Sequence, residues 1–94
     1  MTFGRTAACD VSLTDDPEVS RVHARVFWRG AAWWLEDLGS TNGTFVGEFR
    51  SAERIAAPRK LEPGQFFRVG LTRFRLEAPA GATLVNRASA EALG

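Results

Sequence analysis

The feature that most restricts this chain is a run of residues alternating in polarity. From Val22 to Arg29, Val22, Ala24, Val26 and Trp28 share one face while His23, Arg25 and Arg29 share the other, the period of two that a half-buried β-strand requires. Phe27 is the one residue that breaks the pattern. Gly30-Ala31-Ala32 then predicts a turn into a second aromatic-rich strand, Trp33-Trp34-Leu35-Glu36-Asp37-Leu38, so that the pair forms a hairpin. The alternation also predicts that Trp28, and at least one of Trp33 and Trp34, packs in the core rather than facing a ligand. A polar turn with Asn-Gly at its centre, Gly39-Ser40-Thr41-Asn42-Gly43, leads to Thr44-Phe45-Val46-Gly47. Gln65-Phe66-Phe67-Arg68-Val69 and Thr72-Arg73-Phe74-Arg75-Leu76-Glu77 flank Gly70-Leu71 as another hairpin. In its second strand Thr72, Phe74 and Leu76 face one way and Arg73, Arg75 and Glu77 the other. Short strands broken every few residues by Gly, Pro, Asn and Asp predict an all-β fold, a sandwich or small barrel in which each half-apolar sheet covers its face with another. Ser51 to Arg59 holds Pro58 and shows no sustained helical spacing, so a loop is expected there. Beyond Pro79 the chain turns alanine-rich. Two outcomes stay open: a short strand at Thr83-Leu84-Val85 plus a frayed helix from Arg87 to Leu93, or a disordered end.

Composition limits the function. Ninety-four residues make one domain with no room for a second. Twelve basic and eleven acidic residues leave a net charge of +1, without the positive field that nucleic-acid binding normally needs. No run is apolar enough to span a membrane, and Met1-Thr2-Phe3-Gly4-Arg5 does not read as the start of a signal peptide. The single cysteine, Cys9, can form neither an internal disulfide nor a multi-thiolate metal site, so a reducing, cytoplasmic setting is expected. Catalysis finds little support. His23 is the only histidine, no Gly-x-Ser-x-Gly elbow occurs, and a lone histidine on the polar face of a strand reads as a hydrogen-bonding strut. Asp10, Asp15, Asp16 and Glu18 lack the alternating, glycine-containing spacing of a calcium loop, so they are expected to form a solvated acidic loop; neither metal nor cofactor is expected.

One constellation remains. Arg5 follows a glycine, Ser20-Arg21 stands just before a strand, and Ser40-Thr41-Asn42-Gly43 fills a tight turn. A phosphate needs a planar cation, hydroxyl and amide donors, and backbone N–H groups turned outward, and these loops offer each type without high net charge. Gly4-Arg5, Cys9-Asp10-Val11-Ser12-Leu13, Ser20-Arg21-Val22-His23-Ala24, the run from Leu35 through Gly39-Ser40-Thr41-Asn42-Gly43-Thr44 to Val46, Leu61-Glu62-Pro63-Gly64 and Val69-Gly70 occur in an order and spacing that resembles the forkhead-associated (FHA) domain, from Phe3 to about Glu77.

The resemblance implies an FHA-type β-sandwich of eleven strands in two antiparallel-rich sheets, whose loops at one end bind phosphothreonine peptides without doing chemistry on them. It implies that Arg5 contacts the phosphate, that Ser20 donates its hydroxyl to it, and that Arg21 contacts phosphate or peptide backbone. Thr41 becomes a further phosphate donor or neighbour, and the Asn42 amide grips the peptide main chain. His23 becomes a scaffold residue bracing the loops, and Gly4, Gly39 and Gly43 let them close. The implied role is phosphopeptide recognition in Ser/Thr kinase signalling, the partner being a phosphothreonine-containing protein, with neither nucleic acid nor membrane involved.

Members of the family usually carry two strands before the Gly-Arg element, whereas here Met1 stands three residues ahead of Gly4. The expectation is a binding domain over residues 1–78 followed by a tail over 79–94, with a sheet edge exposed along Thr72 to Glu77. Three outcomes stay open: Thr83-Leu84-Val85 fills the edge, two chains pair or exchange strands there, or the sequence is a piece of a longer protein. A second functional reading follows from that edge. In it the chain is a structural or self-assembly module whose phosphate site is idle or serves a tail threonine such as Thr83. Gln65 stands where the family commonly has Asp, and the segment from Glu48 to Lys60, longer and more polar than a minimal hairpin and leading away from the Asn42 turn, is expected to shape which residues after the phosphothreonine are accepted.

Overall fold

The computed structural model describes residues 1–48 and 50–77, and the backbone of residues 83–86. Its strands are β1 (Thr2–Gly4), β2 (Val11–Ser12), β3 (Ala24–Arg29), β4 (Ala32–Asp37), β5 (Thr44–Val46), β6 (Glu53–Arg54), β7 (Arg59–Leu61), β8 (Phe66–Val69), β9 (Thr72–Glu77) and β10 (Thr83–Asn86). They form two five-stranded sheets, ordered β2-β1-β3-β4-β7 and β10-β9-β8-β5-β6. The chain is therefore an all-β sandwich, antiparallel throughout except where β1 runs parallel to β2. Among the described residues there are ten strands where the resemblance implies eleven.

The core is the seam between the sheets. Phe3, Ala24, Val26, Leu35 and Leu61 enter from one side and Val46, Phe67, Val69, Phe74 and Leu76 from the other, closed at the loops by Val19 and Ile55. Phe3 meets the rings of Phe74 and Phe67 edge-on at 5.0 and 5.7 Å, so β1, only three residues long, is fastened across both layers by one aromatic side chain. Burial along β9 follows the alternation of its sequence: Phe74 and Leu76 lie inside, Arg73 outside.

Several expectations need correction. Ala24 and Val26 are buried as the alternation predicts, but Val22 and Trp28 are 48% and 58% exposed, and His23 is fully buried. The period of two starts only at Ala24. At Arg21–Val22 the chain bends before joining the sheet, so the faces assigned to residues 22 and 23 invert. Trp28 lies near the hairpin end, where it packs edge-on against Trp33 at 5.2 Å. Phe27 sits on the outer face of its sheet with the Arg25 guanidinium 4.4 Å and the Arg29 guanidinium 5.3 Å from its ring centroid. Ser51 to Arg59 is not simply a loop: Glu53–Arg54 pairs with β5 and Arg59 opens β7. A two-residue edge strand is too short to leave a periodic signal.

Thr83–Asn86 lies antiparallel along β9, from Thr83 opposite Glu77 to Asn86 opposite Phe74. The edge expected to be bare along β9 is thus covered by the chain's own backbone. The frayed helix expected from Arg87 to Leu93 lies outside the described residues.

Candidate functional site

Three loops meet at one pole of the sandwich: β1–β2, carrying Arg5; β2–β3, carrying Ser20 and Arg21; and β4–β5, carrying Thr41 and Asn42. Backbone bonds dock the first on the second, with Arg5 N–H donating to the Ser20 carbonyl at 3.0 Å and Thr6 N–H to the Arg21 carbonyl at 3.3 Å. Gly4 makes this approach feasible, because a β-carbon there would collide with the Arg21 carbonyl oxygen. The third loop joins through side chains. Thr41 N–H donates to Ser20 Oγ at 3.0 Å, and Asn42 Nδ2 donates to the Glu18 carbonyl at 2.9 Å. Arg5, Ser20, Arg21, Thr41 and Asn42 are therefore brought together from positions up to 37 residues apart in the chain (Arg5 to Asn42).

His23 is the internal brace. Its Nδ1 accepts from Ser20 N–H at 3.0 Å and its Nε2 faces the Gly43 carbonyl at 2.8 Å. A backbone donor on one side and an acceptor on the other define a neutral ring with its proton on Nε2. Fully buried, this ring ties the serine loop to the asparagine turn. Gly43 adopts φ +89°, a left-handed conformation that favours glycine.

Asp37, which sequence reasoning gave no role, and Asp16, which it placed in a solvated loop, hold the loops in shape. Asp37 accepts from the N–H groups of Gly39 and Ser40 at 3.0 Å each, from Ser40 Oγ at 2.5 Å and from Thr44 Oγ1 at 2.7 Å. Ser40 Oγ accepts from Gly43 N–H at 2.9 Å. Burial pushes the Asp37 carboxyl up, but the Ser40 and Thr44 hydroxyls and the two N–H groups outweigh it and hold the group below the ordinary carboxylate value. An Asp two residues before Gly-Ser is the signal that could have revealed this turn. Asp16 corrects the picture of a solvated acidic loop. It is 7% exposed and accepts from Glu18 N–H, Leu71 N–H and Thr72 Oγ1, pinning the serine loop to the β8–β9 turn. Asp10 does lie exposed, where the N–H and hydroxyl of Thr2 lower its carboxyl.

The resulting surface offers donors. Arg5 and Arg21 are exposed, and among the described residues no carboxylate pairs with either. Ser20 Oγ accepts from Thr41 N–H, which leaves its own hydrogen free to donate outward. Asn42 uses one hydrogen of its Nδ2 on Glu18, keeping the other and its Oδ1. Two free guanidinium groups and a preset hydroxyl suit a doubly charged tetrahedral anion. Thr83 stands at the Glu77 end of β9, whereas the opposite end, at Leu71–Thr72, abuts Asp16 beside the serine loop, so the sheet holds this tail threonine away from the site of its own chain. Among the described residues no three potential ligands cluster as a metal site, and no helix is long and apolar enough to cross a membrane.

The molecule is a two-layer sandwich with free donors gathered at one loop pole, and comparison with known proteins gives the family. The sequence model of the FHA domain matches residues 1–70. The chain belongs to the FHA-domain family. It is 38% identical over 74 residues to the FHA domain-containing protein FhaB of Mycobacterium tuberculosis, covering 79% of this chain and 44% of that one. The chain thus spans under half the length of the curated relatives it first matches. Among solved structures, an FHA domain from Chlamydia trachomatis superposes with a TM-score of 0.73 at 30% identity, over 84% of this chain and 76% of that one. An FHA domain solved in a study of phosphothreonine-dependent FHA interactions gives 0.70 at 31%, over 83% and 75%. Mycobacterium tuberculosis EmbR, in complex with a low-affinity phosphopeptide, gives 0.74 at 32%, over 87% of this chain and 20% of that one.

Proposed function

We infer that this chain is a non-catalytic module that binds phosphothreonine peptides in Ser/Thr kinase signalling. The reading rests on the loop pole: the unpaired Arg5 guanidinium and the outward hydrogen of Ser20 stand on neighbouring loops, with Arg21, Thr41 and Asn42 around them. Arg5 and Ser20 take the phosphate, Arg21 and Thr41 its periphery, and Asn42 the peptide main chain. The unit carrying this function is residues 1–78, with residues 79–94 an appended tail. Phosphorylation acts as the switch because only the modified threonine brings the charge, about −1.5 to −2, and the acceptors that these donors match. Membership of the family and its phosphothreonine-dependent and phosphopeptide-bound neighbours support the same reading. The test is calorimetric titration of the 94-residue chain with a degenerate threonine peptide library in phosphorylated and plain forms. Binding of the phosphorylated library alone is expected; equal affinity for both, or none for either, overturns the reading.

A further inference from the structure

Away from the loop pole, one cross-strand pair carries a repulsion that the sheet leaves unrelieved. On the outer face of the sheet β10-β9-β8-β5-β6, Arg68 of β8 stands directly opposite Arg73 of β9, with Phe45 of β5 opposite Arg68 on its other side. Both arginines point outward because Phe67, Val69 and Phe74, which alternate with them, fill the core. Like charges directly opposed weaken a sheet, and the other sheet avoids them: there Arg25 faces Glu36 and the two are joined at 2.5 Å.

The surroundings keep this face positive. Arg68 holds its guanidinium 4.2 Å from the Phe45 ring centroid and donates from Nη1 to the Gly70 carbonyl at 2.7 Å, neither of which neutralises it. Arg73 is exposed and has no partner among the described residues. The acidic groups of the adjoining elements are committed elsewhere. Glu77 is held by Arg75 Nε at 2.9 Å, and Glu53 by Arg59 at 3.1 Å. Asp16 is buried on the inner side of the β8–β9 turn, with Glu18 N–H, Leu71 N–H and Thr72 Oγ1 donating to it. Asp15 and Glu18 lie in the serine loop at the pole. Among the described residues no carboxylate comes within ion-pair distance of Arg68 or Arg73.

We propose that the outer face of the β8–β9 hairpin, anchored by Arg68 and Arg73, docks an acidic segment of a partner protein independently of threonine phosphorylation. The planar fork of arginine pairs with a carboxylate through two parallel bonds, so an acidic side chain laid between the opposed guanidinium groups replaces their repulsion with ion pairs. Nucleic acid fits less well. Two free arginines neutralise about two phosphates, a small part of what binding at physiological salt requires. Phe45 already carries a guanidinium over its face, so a base finds no open ring there to stack on. An anionic membrane is held by clusters of about four or more basic residues, a larger number than the pair supplies.

The experiment titrates the full chain with three fluorescent probes: an unphosphorylated peptide alternating glutamate and serine, a single-stranded oligothymidylate, and vesicles containing phosphatidylserine. The glutamate peptide should bind, and more weakly as salt rises. Arg73→Gln should weaken it roughly two- to fivefold, and adding Arg68→Gln should weaken it further. Arg73→Glu should bind the matching lysine–serine peptide instead. Removing one of two opposed charges should leave the thermal midpoint of Arg73→Gln unchanged or raise it, so the lost affinity is distinguished from lost folding. Affinity for phosphothreonine peptides should be the same in Arg73→Gln as in the wild type. No binding of the glutamate peptide, or equal binding by wild type and Arg73→Gln, overturns the proposal. Tighter binding of the oligothymidylate or the vesicles overturns the acidic segment as occupant. A parallel loss of phosphothreonine-peptide binding in Arg73→Gln overturns the proposal as well, since Arg73 would then belong to the phosphate site. Each of these failures leaves the phosphopeptide reading standing, because that reading rests on other residues.

Discussion

The two poles of the sandwich reverse the chain by opposite means. At the far pole, Gly30 and Ala31 turn β3 into β4 at φ +58° and +59°, and the side-chain hydrogen bond at that turn, Trp34 Nε1 to the Arg29 carbonyl, spans five residues. At the loop pole, His23 reaches Gly43 across 20 residues, Thr41 reaches Ser20 across 21, Asn42 reaches Glu18 across 24 and Leu71 reaches Asp16 across 55. One pole is closed locally by a hairpin. The other is closed by polar groups satisfying one another between loops, and that arrangement turns the remaining donors outward together. The lesson is that binding geometry resides in the long-range bonds, whereas the far turn can vary on its own.

The contrast is most severely broken at His23. Truncation in His23→Ala leaves Ser20 N–H and the Gly43 carbonyl buried without partners and opens a cavity, so unfolding free energy should drop by about 2–5 kcal/mol in denaturant titration, with phosphopeptide affinity falling alongside. Arg5→Ala separates binding from folding. Losing charge-assisted hydrogen bonds of roughly 1.5–3 kcal/mol each should weaken phosphopeptide binding by roughly tenfold or more, while the unfolding free energy, an exposed side chain being removed, moves by less than about 0.5 kcal/mol.

Acid titration sharpens the comparison further. The Asp37 carboxyl titrates below its ordinary 3.8 in the folded chain. As pH falls, the unfolded chain therefore takes up this proton first. The stabilisation from Asp37 is fully present above about pH 4 and is lost as pH falls through the folded-state pKa. Stability measured from neutral pH downward should fall in that window, and Asp37→Asn should flatten the decline; an unchanged slope would remove Asp37 as the acid-sensitive group of the loop pole. Asp10, also lowered, contributes in the same direction. The smallest effect belongs to the far turn. Ala31→Gly relieves a left-handed alanine, about 1–2 kcal/mol, against an unfolded-state entropy cost of about 0.5–1 kcal/mol. A net gain of up to about 1.5 kcal/mol is expected from thermal unfolding, with phosphopeptide affinity untouched.

Much of the fold was legible in the chain because its signals are local. The alternation of Thr72 to Glu77, the turn glycines and the hairpins on either side of Gly30 and Gly70 need only neighbouring residues to be read. The inverted faces at Val22 and His23 were not legible, since the bend at Arg21 is set by docking against β1, where His23 N–H donates to the Phe3 carbonyl at 2.9 Å. Asp16 looked like one of several solvated acids. Its burial depends on Leu71 and Thr72, which only folding brings to it.

Residue order alone determined an all-β chain, sandwich or small barrel, with polar turns at fixed places, because strand period and turn chemistry act between residues a few positions apart. Which polar groups would be consumed as struts and which left free was decided only when the loops met. His23, Asp16 and Asp37 were turned inward by partners distant in sequence, while Arg5, Arg21 and Arg54 found no carboxylate among the described residues. A hydrogen bond depends on position and angle in space, and neither exists until the sheets have packed.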